Sequence, residues 1–524
     1  MNGDQANMPN LGGDHNAVVN WLADPASHAE RTRRVDVVET HISQVFLADR
    51  FVYKLKKPVR FDFLDFSTLE RRELACREEV RLNRRMAAEI YLDAVPIRRD
   101  RTGRFTFGGD GEVVDWVVKM RRLPAERMLD VLIRSHALTD VELRKLADYF
   151  AAFYASTNPL VVRPRDYHRT FVDNVDANFE TLLAAEGVST DQIRRIHVFQ
   201  LRLLKCRSEL FHARVLDGRI IDGHGDLRPE HVCLLDPPAV FDCIEFNGVL
   251  RQVDVLDELC FLAMECDALD AQAVGERILK TCLERSQDRP PAELTAFYKS
   301  YRACVRAKVA LLRSVQLTGD DRDAQRRAGN QYLQLAERYL RESGARPCLI
   351  VVSGLMGSGK STLAGALAAE LGAEIIRTDE IRSELFPARG DEERFGEGKY
   401  SIDGRDRVYE EVLCRAADRI SCGVSVVLDG TFTSAAARTR AMTRGRELNA
   451  DALTVRCVCP REIAIERIGT RLRQTVPDAS EARPEHYDRQ AALWENGSDD
   501  EATCIVDTTS SVAEQLETVF EALA

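Results

Sequence analysis

Five consecutive apolar residues, Cys348-Leu349-Ile350-Val351-Val352, run almost directly into Gly354-Leu355-Met356-Gly357-Ser358-Gly359-Lys360-Ser361, and no other feature constrains the fold as strongly. An unbroken apolar pentad reads as a strand buried on both faces. The glycines after it allow a loop tight enough to aim several backbone N–H groups, and the first turn of the next helix, at a phosphate. Lys360 would neutralise the β/γ oxygens and the Ser361 hydroxyl would ligate Mg²⁺. Gly354, Gly357, Ser358, Gly359, Lys360, Ser361 and Thr362 are therefore the expected nucleotide-binding residues of a P-loop. Strands and helices alternate from Cys348 onward, which predicts an α/β domain with a mainly parallel sheet over 348–524. The stop Glu342-Ser343-Gly344-Ala345-Arg346-Pro347 marks its upstream boundary.

At 524 residues the chain exceeds one hydrophobic core. Its 45% hydrophobic and 30% charged residues are those of a globular protein. No apolar run approaches the roughly 18 residues that span a bilayer, and Met1–Glu30 has no hydrophobic signal core, so a cytoplasmic protein without a membrane partner is expected. The 14 cysteines are scattered without a C-x-x-C pair, which supports neither a zinc site nor a disulfide framework and reads as reduced, mostly buried thiols. A formal charge of −11 argues against binding nucleic acid over the whole surface.

Further chemistry lies at the ends of the predicted C-terminal strands. In Ile376-Arg377-Thr378-Asp379-Glu380-Ile381-Arg382, Asp379 is placed to accept a proton from an acceptor hydroxyl, and Arg382, one helical turn on, to position the acceptor or a phosphate. Ser425-Val426-Val427-Leu428-Asp429 ends in a carboxylate suited to holding a metal ion or water. Arg467 and Arg471 share one face of a helix that could close over a triphosphate. These steps resemble the P-loop kinases of the polynucleotide-kinase-like and zeta-toxin-like group, and the resemblance implies phosphate transfer to a hydroxyl.

Upstream, residues 1–30 form a polar tail with a short helix around Val18–Leu22. Val45-Phe46-Leu47 and Phe51-Val52-Tyr53-Lys54 read as a hairpin. A charged amphipathic helix follows over about 68–88 with Ser67 as N-cap, and strands resume at 105–107 and 113–120. From Asp140 to about 340 the periodicity is helical, interrupted by short apolar segments on either side of Pro237-Pro238. His224-Gly225-Asp226 and Phe241-Asp242, with this order of elements, resemble the aminoglycoside phosphotransferase family, whose catalytic loop reads H-G-D-x-x-x-x-N. His41-Ile42-Ser43, Tyr53-Lys54-Leu55-Lys56-Lys57-Pro58, Phe61-Asp62-Phe63-Leu64-Asp65-Phe66 and Phe241-Asp242-Cys243-Ile244-Glu245-Phe246-Asn247 look more narrowly like a bacterial group of such proteins fused to a P-loop kinase.

The resemblance implies an α+β, protein-kinase-like bilobal domain over 31–343, with a small lobe at about 35–123 and a helical large lobe at about 124–343. It makes Lys54 the lysine on the α/β phosphates, Glu78 or, by preference, Glu79 its ion-pair partner, Asp226 the base and Asp242 a metal ligand. His231 stands where the pattern has asparagine; in a metal set with Asp242 it is a poor Mg²⁺ donor, so one metal site is weakened. With no G-x-G-x-x-G between the first strands, Thr40–Ser43 would cover the phosphates. His224 reads as a packing residue of the loop, and Lys56 and Lys57 either steer an anion or end a solvated strand.

The expected function is ATP- and Mg²⁺-dependent phosphate transfer to unidentified hydroxyl acceptors by two nucleotide-binding domains. Two alternatives stay open: an N-terminal pseudokinase that senses nucleotide or a partner and gates the P-loop kinase, and a nucleic-acid 5′-hydroxyl kinase.

Overall fold

The computed structural model describes residues 13–28, 31–61, 64–344, 346–386, 402–473, 483–495 and 503–523. Residues 1–12 and 29–30 of the polar tail and the Asp62-Phe63 pair of the quoted motif lie outside them. The chain divides into two compact units that do not follow chain order: Met1–Pro164, Ala213–Pro291 and Tyr301–Arg306 in one, Arg165–His212, Ala292–Ser300 and Ala307–Ala524 in the other. The boundary expected at 343–348 falls inside the second unit. The reason is local packing: Cys206, from the helix Thr190–Cys206, shares a core with Cys348, Ile350 and Val352 of the apolar strand.

The first unit is built on a six-stranded antiparallel sheet in the order Asp36–Glu39, Ser43–Leu47, Phe51–Lys56, Glu112–Arg121, Tyr91–Arg99, Phe105–Phe107. The strand Tyr91–Arg99 was not expected. One sheet face packs on the helix Leu69–Ala87 through Val52, Cys76, Val80, Val118 and Met120. That helix is capped by Thr68, whose hydroxyl accepts from the Arg71 N–H, and not by Ser67, which instead bonds Asp65. The helix Gly13–Ala23 puts Val18 and Leu22 on the opposite core with Phe46, Tyr53 and Leu55. Because side chains alternate along a strand, Lys54 and Lys56 fall on the Leu69–Ala87 side while Tyr53 and Leu55 face away. A two-stranded hairpin, Val232–Cys233 with Ala239–Val240, then carries the chain from His231 to Asp242.

In the second unit a five-stranded, all-parallel sheet runs Glu374–Arg377, Val426–Asp429, Cys348–Gly354, Asp451–Val458, Thr503–Asp507. Its central strand is buried at every position, because helices cover both faces of a parallel sheet. Leu363, Leu367 and Leu371 pack on one face, Val408, Val412, Ala437 and Ala441 on the other. The P-loop, Asp379 and Asp429 all fall at the carboxyl ends of these parallel strands, where open α/β sheets bind ligands. None of the 14 cysteines is in a disulfide, and all but Cys414, Cys422 and Cys459 are buried. Among the described residues no helix is long and apolar enough to cross a membrane.

His197, on the helix Thr190–Cys206, stacks on Phe179 with ring centroids 3.9 Å apart. Burial, and secondarily Lys205, pushes its imidazole down to about 4 from the ordinary 6.5. Between those values the unfolded chain binds a proton that the folded chain refuses, so stability falls as pH drops from about 6.5 toward 4. Urea titrations across this range should show the decline in the wild type and a shallower one in His197→Gln.

Candidate active sites

In the first unit, Lys54 Nζ lies 2.9 Å from Glu79 Oε1 and 2.6 Å from Asp242 Oδ1. The strand, the helix and the loop after the hairpin thus meet at one ammonium group. Burial disfavours the charge on Lys54, but Asp242, Glu79 and Glu245 outweigh it and raise its pKa well above the ordinary value. Burial likewise opposes ionisation of Asp242, and Lys54 overrides it, holding the carboxyl far below its usual range. Asp242 is reached with φ +64°, a left-handed conformation that aspartate tolerates better than most residues. Its N–H donates to Tyr91 Oη at 3.1 Å, and the next N–H, of Cys243, donates to Asn83 Oδ1 at 2.9 Å.

A second lysine completes this cluster. Lys56 Nζ donates to Glu79 Oε2 at 2.7 Å and also to Glu245 Oε1. Lys56 and Glu79 are fully buried, so Lys56 neither steers an anion nor ends a solvated strand. Lys57 is buried as well and donates to Glu39 and to the Thr40 carbonyl, bracing the short 39–43 turn. A signal for Lys56 was present in its two-residue spacing from Lys54, which puts both on one strand face. Nothing local marked Glu245, whose partner lies 189 residues upstream.

The Asp226 loop is held from beneath. Glu258 Oε1 accepts from the N–H groups of His224 at 2.6 Å and Gly225 at 2.7 Å, and its Oε2 accepts from Tyr154 Oη at 3.0 Å. His224 pairs through Nε2 with the Phe241 carbonyl at 2.9 Å, tying the loop to the segment that carries Asp242. Burial pushes its pKa down to about 4. Asp226 is one-third exposed and sits 3.1 Å from Arg228 Nε. Burial would raise its pKa, but His231 and Arg228 beside it lower it. Glu258 and Arg228 were both missed from sequence: Glu258 because it lies on a distant helix, Val255–Ala268, Arg228 because its role depends on a contact to His231.

In the second unit the P-loop leaves its strand at Gly354, and Gly359, at φ +82°, opens the helix Lys360–Leu371. Gly357 takes φ +74°, and a Cβ there would lie 2.4 Å from the Ala464 carbonyl oxygen, so glycine is required on both counts. Asp429 is 5% exposed and lies beside the Ser361 hydroxyl, yet its Oδ1 has no hydrogen-bond partner among the described residues. Burial raises its pKa despite Lys360 nearby. Ser358 Oγ is likewise buried without a partner. A buried carboxylate oxygen beside a hydroxyl is a hard donor set that fits Mg²⁺, and the glycine-lined loop fits a phosphate. Lys360, Ser361 and Thr362 form the first turn of that helix.

Asp379 lies in the first turn of the helix Thr378–Leu385, and Arg382 Nη1 donates to its Oδ1. Arg467 lies on the helix Arg461–Leu472 and donates to Thr508 Oγ1 at 3.0 Å and Thr508 O at 2.9 Å. Thr508 Oγ1 in turn donates to the Ser358 carbonyl at 2.7 Å. In this arrangement Arg467 buttresses the loop from the side; Arg471 lies one turn further along.

Residues 349–496 match the family described as an AAA domain. An uncharacterised Mycobacterium tuberculosis protein, Rv2004c, is 33% identical over 477 residues, 88% of this chain and 91% of that protein, and Mycobacterium bovis Mb2027c matches equally. Among solved structures, a choline/ethanolamine kinase family protein from Mesorhizobium loti is similar over 63% of this chain and 98% of its own, at 13% identity and TM-score 0.38. A Sinorhizobium meliloti gluconokinase is similar over 34% of this chain and 93% of its own, at 20% identity and TM-score 0.25.

Proposed function

This chain belongs to the family of the Mycobacterium tuberculosis protein Rv2004c, and from that premise we propose that it is a cytoplasmic ATP-dependent phosphotransferase with two nucleotide sites, each serving a hydroxyl acceptor. The observation that carries the reading is Asp429 Oδ1, a buried carboxylate oxygen without a hydrogen-bond partner among the described residues, next to Ser361 and Lys360 at the end of a parallel strand. Burying such an oxygen costs free energy unless a ligand satisfies it.

In the C-terminal site Ser361 and Asp429 would hold Mg²⁺, which neutralises phosphate charge when bound. Lys360 and the N–H groups of the P-loop bind and orient the phosphates. Asp379 accepts the acceptor hydroxyl proton, and Arg382, paired with it, fixes the carboxylate and counters charge on the acceptor side. Arg467 keeps the loop in shape through Thr508, and Arg467 and Arg471 stand ready to balance the spreading phosphoryl charge. In the N-terminal site Lys54, fixed by Glu79, orients the α/β phosphates, Asp242 would hold the metal, and Asp226 takes the acceptor proton.

A second reading, an N-terminal nucleotide sensor that gates the C-terminal kinase, is favoured by His231, both of whose ring nitrogens are engaged within the catalytic loop. A 5′-hydroxyl kinase of nucleic acid remains the least supported acceptor assignment, given the net charge of −11. The test is γ-phosphate transfer from labelled ATP with Mg²⁺ to sugars, aminoglycosides, nucleosides and 5′-hydroxyl oligonucleotides by wild type, Asp226→Ala and Lys360→Ala. Two activities lost in separate variants are expected. Loss of every activity in Lys360→Ala with none lost in Asp226→Ala would leave the sensor, and transfer unchanged in both variants would sink the proposal.

A further inference from the structure

Across from Asp242, the carboxylate on which the N-terminal unit would hold a metal, stands His231, with Nε2 3.6 Å from Asp242 Oδ2. An imidazole ligates a metal only through a nitrogen lone pair that nothing else uses. His231 Nδ1 lies 2.8 Å from the Asp226 carbonyl oxygen, and Nε2 lies 3.0 Å from Arg228 Nη2. A carbonyl only accepts and a guanidinium only donates, so Nδ1 carries the hydrogen and the Nε2 lone pair is taken by Arg228.

Arg228 is itself held in place. Its Nε is 3.1 Å from Asp226 Oδ2 and its Nη1 2.7 Å from Glu230 Oε2. The His231 side chain is 8% exposed and that of Arg228 16%, so neither swings freely into solvent. At 3.6 Å His231 makes no hydrogen bond to Asp242 either. Of the two residues expected to form the metal set, only Asp242 retains an oxygen donor of the kind that Mg²⁺ takes.

We infer that the N-terminal unit takes its nucleotide with a single metal ion, held on Asp242, and that His231 is a positioning residue that orients Arg228 as a fixed cation beside Asp226. The inference rests on the proposal that this unit binds ATP. A guanidinium keeps its charge in every accessible pH range and is weakly hydrated, which suits it to a partly buried post that a second metal ion would otherwise fill. The arrangement also accounts for a histidine at this place in the loop: its two nitrogens bridge the Asp226 backbone and Arg228, a span that ties residues 226, 228 and 231 into one rigid turn.

The experiment counts Mn²⁺ bound to the full-length protein at saturating non-hydrolysable ATP analogue, by electron paramagnetic resonance. The C-terminal site contributes equally to wild type and Asp242→Ala, so the difference between them is the number of metals in the N-terminal site. Asp242→Asn serves as a second subtraction should the alanine variant unfold. A difference of one is expected. A difference of two, with analogue still bound at both sites, overturns the inference and leaves the nucleotide reading standing. No difference, with only one analogue bound per wild-type chain, overturns the nucleotide reading and the inference with it. His231→Asn, which replaces the engaged imidazole by an amide oxygen and releases Arg228, should bind one more Mn²⁺ than wild type. An unchanged count in that variant, with its melting transition retained, overturns the role assigned to His231.

Discussion

Asp379→Ala should lower kcat for C-terminal phosphate transfer by about 10²–10⁴-fold, the usual contribution of a positioned general base, while ATP-analogue affinity changes little. The separation follows from geometry. Asp379 lies in the first turn of a separate helix and is paired with Arg382, whereas the phosphate-binding loop belongs to the Gly354–Ser361 segment and is braced by Thr508 and Arg467. Removing the carboxylate therefore takes away the proposed proton acceptor and one partner of Arg382, without touching the glycines or Lys360. Arg382→Ala should act mainly on acceptor KM. Single-turnover transfer, paired with calorimetric titration of a non-hydrolysable ATP analogue, separates the effects. Parallel loss of transfer and of analogue binding in Asp379→Ala would place this residue in the nucleotide site instead.

Lys56→Met should be the most destabilising substitution in the first unit. Lys56 and Glu79 are 0% exposed and the Glu245 side chain 4%, so the change strands buried negative charge on Glu79 and Glu245 with Lys54 as the one remaining ammonium of this cluster. Breaking a buried ion pair from one side costs about 3–5 kcal/mol, whereas removing both partners costs far less. Pairing Lys56→Met with Glu245→Gln should therefore recover much of the loss. Trp21 and Trp116 lie in the same unit and Trp494 in the other, so urea unfolding followed by tryptophan fluorescence in a Trp494→Phe background reads this transition. A single variant as stable as wild type would mean that the cluster is hydrated and carries little energy.

The P-loop, the strand ahead of it and the parallel sheet were legible because each is local. Apolar run, glycines, lysine and serine are contiguous in sequence, and a strand buried on both faces cannot hide its composition. Asp379 and Asp429 were legible for the same reason, each sitting at the end of an apolar segment. The pairing of Lys54 with Glu79 needed only a strand and the helix after it. Lys56, two residues from Lys54 and therefore on the same strand face, is buried, where the sequence allows either an anion-steering lysine or a solvated strand end. The strand Tyr91–Arg99 went unread because its polar residues, Asp93, Arg98 and Arg99, mask its alternation.

Sequence alone thus determined which groups each half carries: a glycine-rich loop with Lys360 and Ser361 in one, Lys54, Asp226 and Asp242 in the other. Tertiary structure decided what those groups are bonded to. It made Glu245 a partner of Lys56 and Glu258 the anchor of the Asp226 loop, gave His231 to Arg228, and drew the Thr190–Cys206 helix into the core of the P-loop unit. The physical reason is range. Backbone conformation and burial pattern are written within a few residues of one another, but a buried charge must find its counter-charge wherever the folded chain brings one.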